Sequence, residues 1–101
     1  MITILVICGS GVATSTLAAE KLKSICKEEN IDIETYQCKV SDAKARAKMI
    51  DPDIIVTTAE LNQEFNIPVI NGKSLITENG ISEFKKELFS VIVKLLSSNS
   101  N

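Results

Sequence analysis

The chain has 101 residues, of which 45% are hydrophobic and 24% charged, and its formal net charge is −2. That length suits one compact domain that buries roughly 60–70% of its unfolded surface, with no room for a second. The weakly acidic balance, and the lack of any stacking array among Tyr36 and three phenylalanines, argue against a nucleic-acid partner. The longest apolar runs are far too short to cross a bilayer and no basic lead precedes the first of them, so a cytoplasmic chain is expected. Cys8, Cys26 and Cys38 form no CxxC pair. With no histidine in the chain, a zinc site would need an unusual ligand set, and neither metal nor cofactor is expected.

In chain order, the run Ile2 to Ile7 reads as a buried strand that ends at Cys8. Gly9-Ser10-Gly11-Val12-Ala13-Thr14-Ser15-Thr16 follows and runs directly into a helical pattern. Glycines permit close backbone approach, hydroxyl residues cap the start of a helix, and free N–H groups and the helix dipole converge there on one anion site. A thiol at such a turn is a candidate nucleophile, because this field favours the thiolate over the thiol. The first helix is expected from about Thr14 to Glu29, with Leu17, Ala18, Leu22, Ile25 and Cys26 on its apolar stripe. Cys26 therefore reads as core.

Asn30 closes that helix, and Ile31 to Cys38 alternates at strand period. Ser41 is placed to cap a short helix carrying Ala43, Ala47 and Ile50, which Asp51-Pro52-Asp53 ends. Ile54 to Thr57 is a third strand, and a helical turn is expected around Ala59 to Glu64. A fourth strand is expected at Ile67 to Ile70, at a sheet edge because of Pro68, and Asn71-Gly72 turns the chain. A last helix spans about Gly80 to Leu96 and buries Ile81, Phe84, Leu88, Val91, Ile92 and Leu95, so the domain covers residues 1–96 and the polar tail 97–101 is expected to be disordered. Lys39, Lys44, Arg46 and Lys48 form a local basic run, read first as a solvated face and second as a docking patch.

Strands alternating with helices imply a parallel, doubly wound sheet, in which ligands bind beyond the carboxyl ends of the strands. Cys8 lies at one such end, and Cys38-Lys39, Thr57-Thr58 and Asn71-Gly72 should rim the same crevice. Four chemistries compete for the loop. A dinucleotide fingerprint needs a third glycine where Thr14 stands, and a nucleotide P-loop needs a Gly-Lys-Ser/Thr ending, whereas no lysine precedes Lys21. A cysteine phosphatase needs Cys-x5-Arg, but position 14 is Thr14. It also needs an acid beside the cysteine, whereas Asp51 and Asp53 precede a strand at the opposite end of the sheet, and no carboxylic acid is expected at the carboxyl ends. What remains is a loop that holds a phosphoryl group on sulfur without discharging it to water.

Cys8-Gly9-Ser10-Gly11-Val12-Ala13-Thr14-Ser15-Thr16 resembles the active-site loop of the IIB components of the bacterial phosphoenolpyruvate-dependent sugar phosphotransferase system, most closely the galactitol-type branch. Gln37-Cys38-Lys39-Val40 and Thr57-Thr58-Ala59 are similar to that branch as well, so the resemblance runs from Ile2 to about Leu96. It implies a three-layer doubly wound α/β fold, with a four-stranded parallel sheet in the order 2-1-3-4 and a phosphatase-like phosphate loop after the first strand. It further implies a phosphocysteine at Cys8, a phosphohistidine donor on a IIA component, and a sugar or sugar alcohol held by a membrane IIC component. The amides of Gly9, Ser10, Gly11, Val12, Ala13, Thr14 and Ser15, with the hydroxyls of Ser10, Thr14 and Ser15, are the candidate phosphate ligands. Small cysteine phosphatases, arsenate-reductase-like enzymes and non-catalytic regulatory modules of IIB shape are the alternatives.

Overall fold

The computed structural model describes residues 1–9, 12–61 and 64–98. Strand β1 (Ile2–Cys8) pairs in parallel with β2 (Ile33–Lys39) on one side and with β3 (Ile54–Thr57) on the other. β4 (Val69–Asn71) completes the sheet against β3, in the order β2-β1-β3-β4, as expected. The continuous apolar run of β1 follows from burial on both faces. Ile2, Ile4, Val6 and Cys8 point into the larger core, under helices α1 (Val12–Glu28) and α4 (Ile81–Ser98). Leu5 and Ile7 point into a smaller core beneath α2 (Ala43–Ile50), with Leu61, Phe65 and Ile67 packed at its margin.

Several boundaries differ from the sequence reading. α1 begins at Val12 rather than Thr14, so it takes up more of the loop. Its inner face is Ala18, Ala19, Leu22, Ile25 and Cys26, while Leu17 is 42% exposed and so does not belong to the buried stripe. Asn30 stops the chain after α1 in a left-handed conformation, with φ 58°. β2 starts at Ile33 because Ile31 and Asp32 are spent on the turn, where the Ile31 N–H bonds the Cys26 carbonyl at 2.9 Å. α2 opens through a single 3-10 turn (Val40–Asp42) without a side-chain cap from Ser41, and stops at Asp51, φ 51°.

The helical turn expected at Ala59 to Glu64 is irregular chain wherever it is described, and 62–63 fall outside the described residues. β4 begins two residues later than expected, immediately after the proline: the Pro68 carbonyl accepts from the Ile55 N–H at 2.9 Å, and the ladder begins at Val69. It is an edge strand, as Pro68 indicated. A helix that the sequence reading lacked, α3 (Ser74–Thr77), follows at once. Asn71 starts it by accepting the Lys73 N–H on its side chain at 2.9 Å, and Leu75 anchors it in the core. On α4, Phe84, Leu88 and Ile92 are buried, with Ile81, Val91 and Leu95 half-buried beside them. α4 continues past Leu96 to Ser98.

Candidate functional site

The chain leaves β1 through α1 to β2 on one side and returns through α2 to β3 on the other, so strand order reverses at β1. Cys8 is the last residue of that strand, at the crevice this topology opens. Its neighbours follow from register. Lys39 lies opposite Cys8 on β2, Thr57 lies opposite Ile7 on β3, and Asn71 lies opposite Thr57 on β4, so the three expected rim segments do end together. Cys8 is 3% exposed and packs on the face that α1 covers.

Of the loop, Gly9 is described, Ser10 and Gly11 lie outside the described residues, and Val12, Ala13, Thr14 and Ser15 form the first turn of α1. The phosphate contacts assigned to the hydroxyls of Ser10, Thr14 and Ser15 thus fall outside what is described. That first turn carries no acidic residue, so no carboxylate within it offsets the positive end of the helix dipole. Thr16, one position further on, reaches Gln37 of β2 at 3.4 Å.

The other wall is the turn after β3. The Thr57 hydroxyl, 7% exposed as a residue, donates to the Ala59 carbonyl at 2.7 Å and accepts the Ala59 N–H at 3.1 Å. The Thr58 N–H bonds the Ile7 carbonyl at 2.9 Å, and the Thr57 carbonyl accepts the Gly72 N–H at 2.6 Å. A Cβ added to Gly9 would meet the Ala59 Cβ at 3.3 Å, so this turn closes directly over the start of the cysteine loop. A threonine ending a strand, with its hydroxyl in reach of the backbone two residues on, is the local signal that marks such a turn.

The other cysteines separate from Cys8. Cys26 is fully buried in the larger core, where burial pushes its thiol from 9.0 up to about 11. Cys38 is half-buried on the opposite face of the sheet from Cys8, and all three thiols are free. Burial raises the Cys38 pKa, Asp42 raises it further, nearby Arg46 opposes them, and Cys8 adds a small upward push.

The basic run does not form one patch. Lys39 flanks Cys8, and Arg46 lies within electrostatic reach of Cys38. Lys44 and Lys48 line a separate groove of about 450 Å³ with Asp51, Phe65 and Asn66. There the Lys44 ammonium sits 5.1 Å from the Phe65 ring centre and donates to the Glu64 carbonyl.

Asp53 lies where the sequence placed it, at the far end of β1, bonding the Thr3 N–H at 2.9 Å. Two carboxylates do occupy loops at the carboxyl end, contrary to expectation: Asp42 in the turn after β2 and Glu60 beside Ala59, both exposed. The case against hydrolysis therefore rests on the missing arginine alone.

A family model described as the lactose/cellobiose-specific IIB subunit of the PTS system matches residues 3–87. The chain belongs to the IIB family of the phosphotransferase system. Its relatives include the galactitol-specific EIIB component of Escherichia coli K12, 36% identical over 90 residues, which are 88% of this chain and 94% of that protein. The galactitol-specific EIIB component of Shigella flexneri is 34% identical with the same coverage. A putative phosphotransferase enzyme IIB component of E. coli K12 is 32% identical over 90% of this chain and 97% of its own length. This IIB chain is accordingly a phosphoryl-carrying phosphotransferase component. Among its described residues, no helix is long and apolar enough to cross a membrane.

Proposed function

We propose that Cys8 is the phosphoryl carrier of this IIB chain. It takes phosphate from a phosphohistidine on a IIA component and gives it to a sugar or sugar alcohol bound by a membrane IIC component, through which the chain associates with the membrane. The observation that carries this reading is the position of Cys8 at the reversal point of the sheet, four residues before the amino end of α1. In the first step the Cys8 thiolate attacks phosphorus in line, an S–P bond forms, the N–P bond breaks, and the donor imidazole leaves. The amides of residues 9 to 15 take up charge on the equatorial oxygens. In the second step a sugar hydroxyl displaces the thiolate, and its proton goes to a base from the IIC side. With no histidine in this sequence, the phosphohistidine donor belongs to another protein.

The names of the relatives favour galactitol or a related sugar alcohol as acceptor. The test is a chase. Chain labelled from phosphoenolpyruvate through the general phosphotransferase proteins and cognate IIA should lose its label rapidly when membranes carrying IIC and galactitol are added, and slowly with either omitted. Loss at one rate under all conditions would point to a phosphatase.

A further inference from the structure

The turn after β3 gives the cysteine loop a second support besides α1. We propose that Thr57 is a positioning residue for the Cys8 loop, acting through the turn that its hydroxyl closes; as a claim about phosphoryl transfer, this rests on the assignment of Cys8 as carrier. Thr57 is the last residue of β3, buried, and paired with Ile7. Its hydroxyl uses both capacities on one residue, donating to the carbonyl of Ala59 and accepting from its N–H. Those two bonds fix Thr58 and Ala59 in a tight turn. Thr58 then holds the Ile7 carbonyl, immediately before Cys8, at 2.9 Å, and the methyl of Ala59 stands against Gly9, immediately after it. The residues on both sides of the nucleophile are thus set by one hydroxyl that itself has no place in the chemistry. In-line attack depends on placement to a fraction of an ångström, and an error of about 1 Å costs on the order of a hundredfold in rate.

The test compares Thr57→Val, which keeps the shape and removes the hydroxyl, with Thr57→Ser, which keeps the hydroxyl and removes the methyl. Phosphoryl transfer from phosphorylated IIA to the full chain is followed over a range of donor concentrations, and amide exchange at Thr58 is measured relative to Ile55, which bonds Pro68 elsewhere on β3. Thr57→Val should transfer about tenfold more slowly at saturating donor with KM unchanged, since the donor surface is untouched. Its Thr58 amide should exchange about tenfold faster relative to Ile55. Thr57→Ser should restore both values. Thr57→Ala removes the same bonds without placing a methyl against Ala59, and serves if the valine protein does not fold. The proposal is overturned by a valine or alanine protein with the wild-type rate, by slowed transfer with unchanged Thr58 exchange, or by a serine protein as slow as the valine one. If wild-type chain takes no label on Cys8, the carrier assignment is what fails, and the exchange ratio alone then decides whether Thr57 holds the loop.

Discussion

A Cβ placed on Gly9 would stand 3.3 Å from the Cβ of Ala59, closer than such atoms ordinarily approach. The two residues belong to different loops, one leaving β1 and the other leaving β3, so the start of the cysteine loop lies close against the turn after β3. Gly9→Ala should slow phosphoryl transfer about tenfold by displacing the loop. Ala59→Gly alone should slow transfer less, by the loss of the methyl that stands against Gly9, and the double variant should be faster than the sum of the two losses predicts, a coupling that a double-mutant cycle on transfer rates will read directly. Additive effects would show that the two loops do not press on each other.

Gly72 makes a second close approach, of a structural kind. A Cβ there would lie 2.5 Å from Val56 Cγ1, inside the core where β4 turns into α3. Gly72→Ala should destabilise the protein by about 1–3 kcal/mol through overpacking, read as a lower urea midpoint. An unchanged midpoint would mean that Val56 rotates away at no cost.

Cys26 gives stability a pH signature. Burial raises its folded-state pKa to about 11 from 9.0, so the folded protein prefers the neutral thiol and the unfolded chain ionises first. The contribution is complete below pH 9 and is lost as pH rises towards 11. Stability should therefore fall across that window by about 2 kcal/mol, with Cys38, also raised, acting in the same direction. Cys26→Ala will lower stability at every pH through lost packing, but should flatten this alkaline slope in chemical denaturation. A slope that persists unchanged in the variant would assign it to other groups.

Asp42 and Glu60 bear on the choice between carrier and phosphatase. Both stand in loops at the carboxyl end of the sheet, but Thr14 occupies the position of the phosphatase arginine, so neither has a clamped phosphoryl group to hydrolyse. Asp42→Asn and Glu60→Gln should leave the lifetime of the phosphorylated chain unchanged, and the isolated wild type should not turn over aryl phosphates. A longer-lived label in either variant would identify that carboxylate as a hydrolytic base.

Much of the fold was legible because single residues carry strong local signals. The unbroken run of β1 required burial on both faces, and Pro68 required an edge. The errors arise where neighbours in space decide. Leu17 sits at the margin of the α1 stripe, and only the position of the helix on the sheet shows that it faces outward. Asn71-Gly72 read as a plain turn, but the Asn71 side chain bonds the Lys73 N–H and launches α3. The basic run looked like one patch in sequence, whereas Lys44 turns towards Phe65, a residue on a distant segment that periodicity does not place. For the site, the place of Cys8 at the end of β1 was legible from the apolar run before it. The Thr57 turn was visible only as a rim, because its contact with Gly9 depends on the parallel register of β1 and β3.

The most direct test of the central claim is the mass and peptide map of the chain after incubation with phosphoenolpyruvate, the general phosphotransferase proteins and a cognate IIA. The wild type should gain one phosphoryl group, mapped to the peptide containing Cys8, and Cys26→Ser should gain the same. Cys8→Ser should gain none, since a serine hydroxyl is not ionised at neutral pH. Phosphate on Cys26, Cys38 or a loop hydroxyl, or full transfer by the Cys8→Ser protein, would contradict the assignment of Cys8 as carrier.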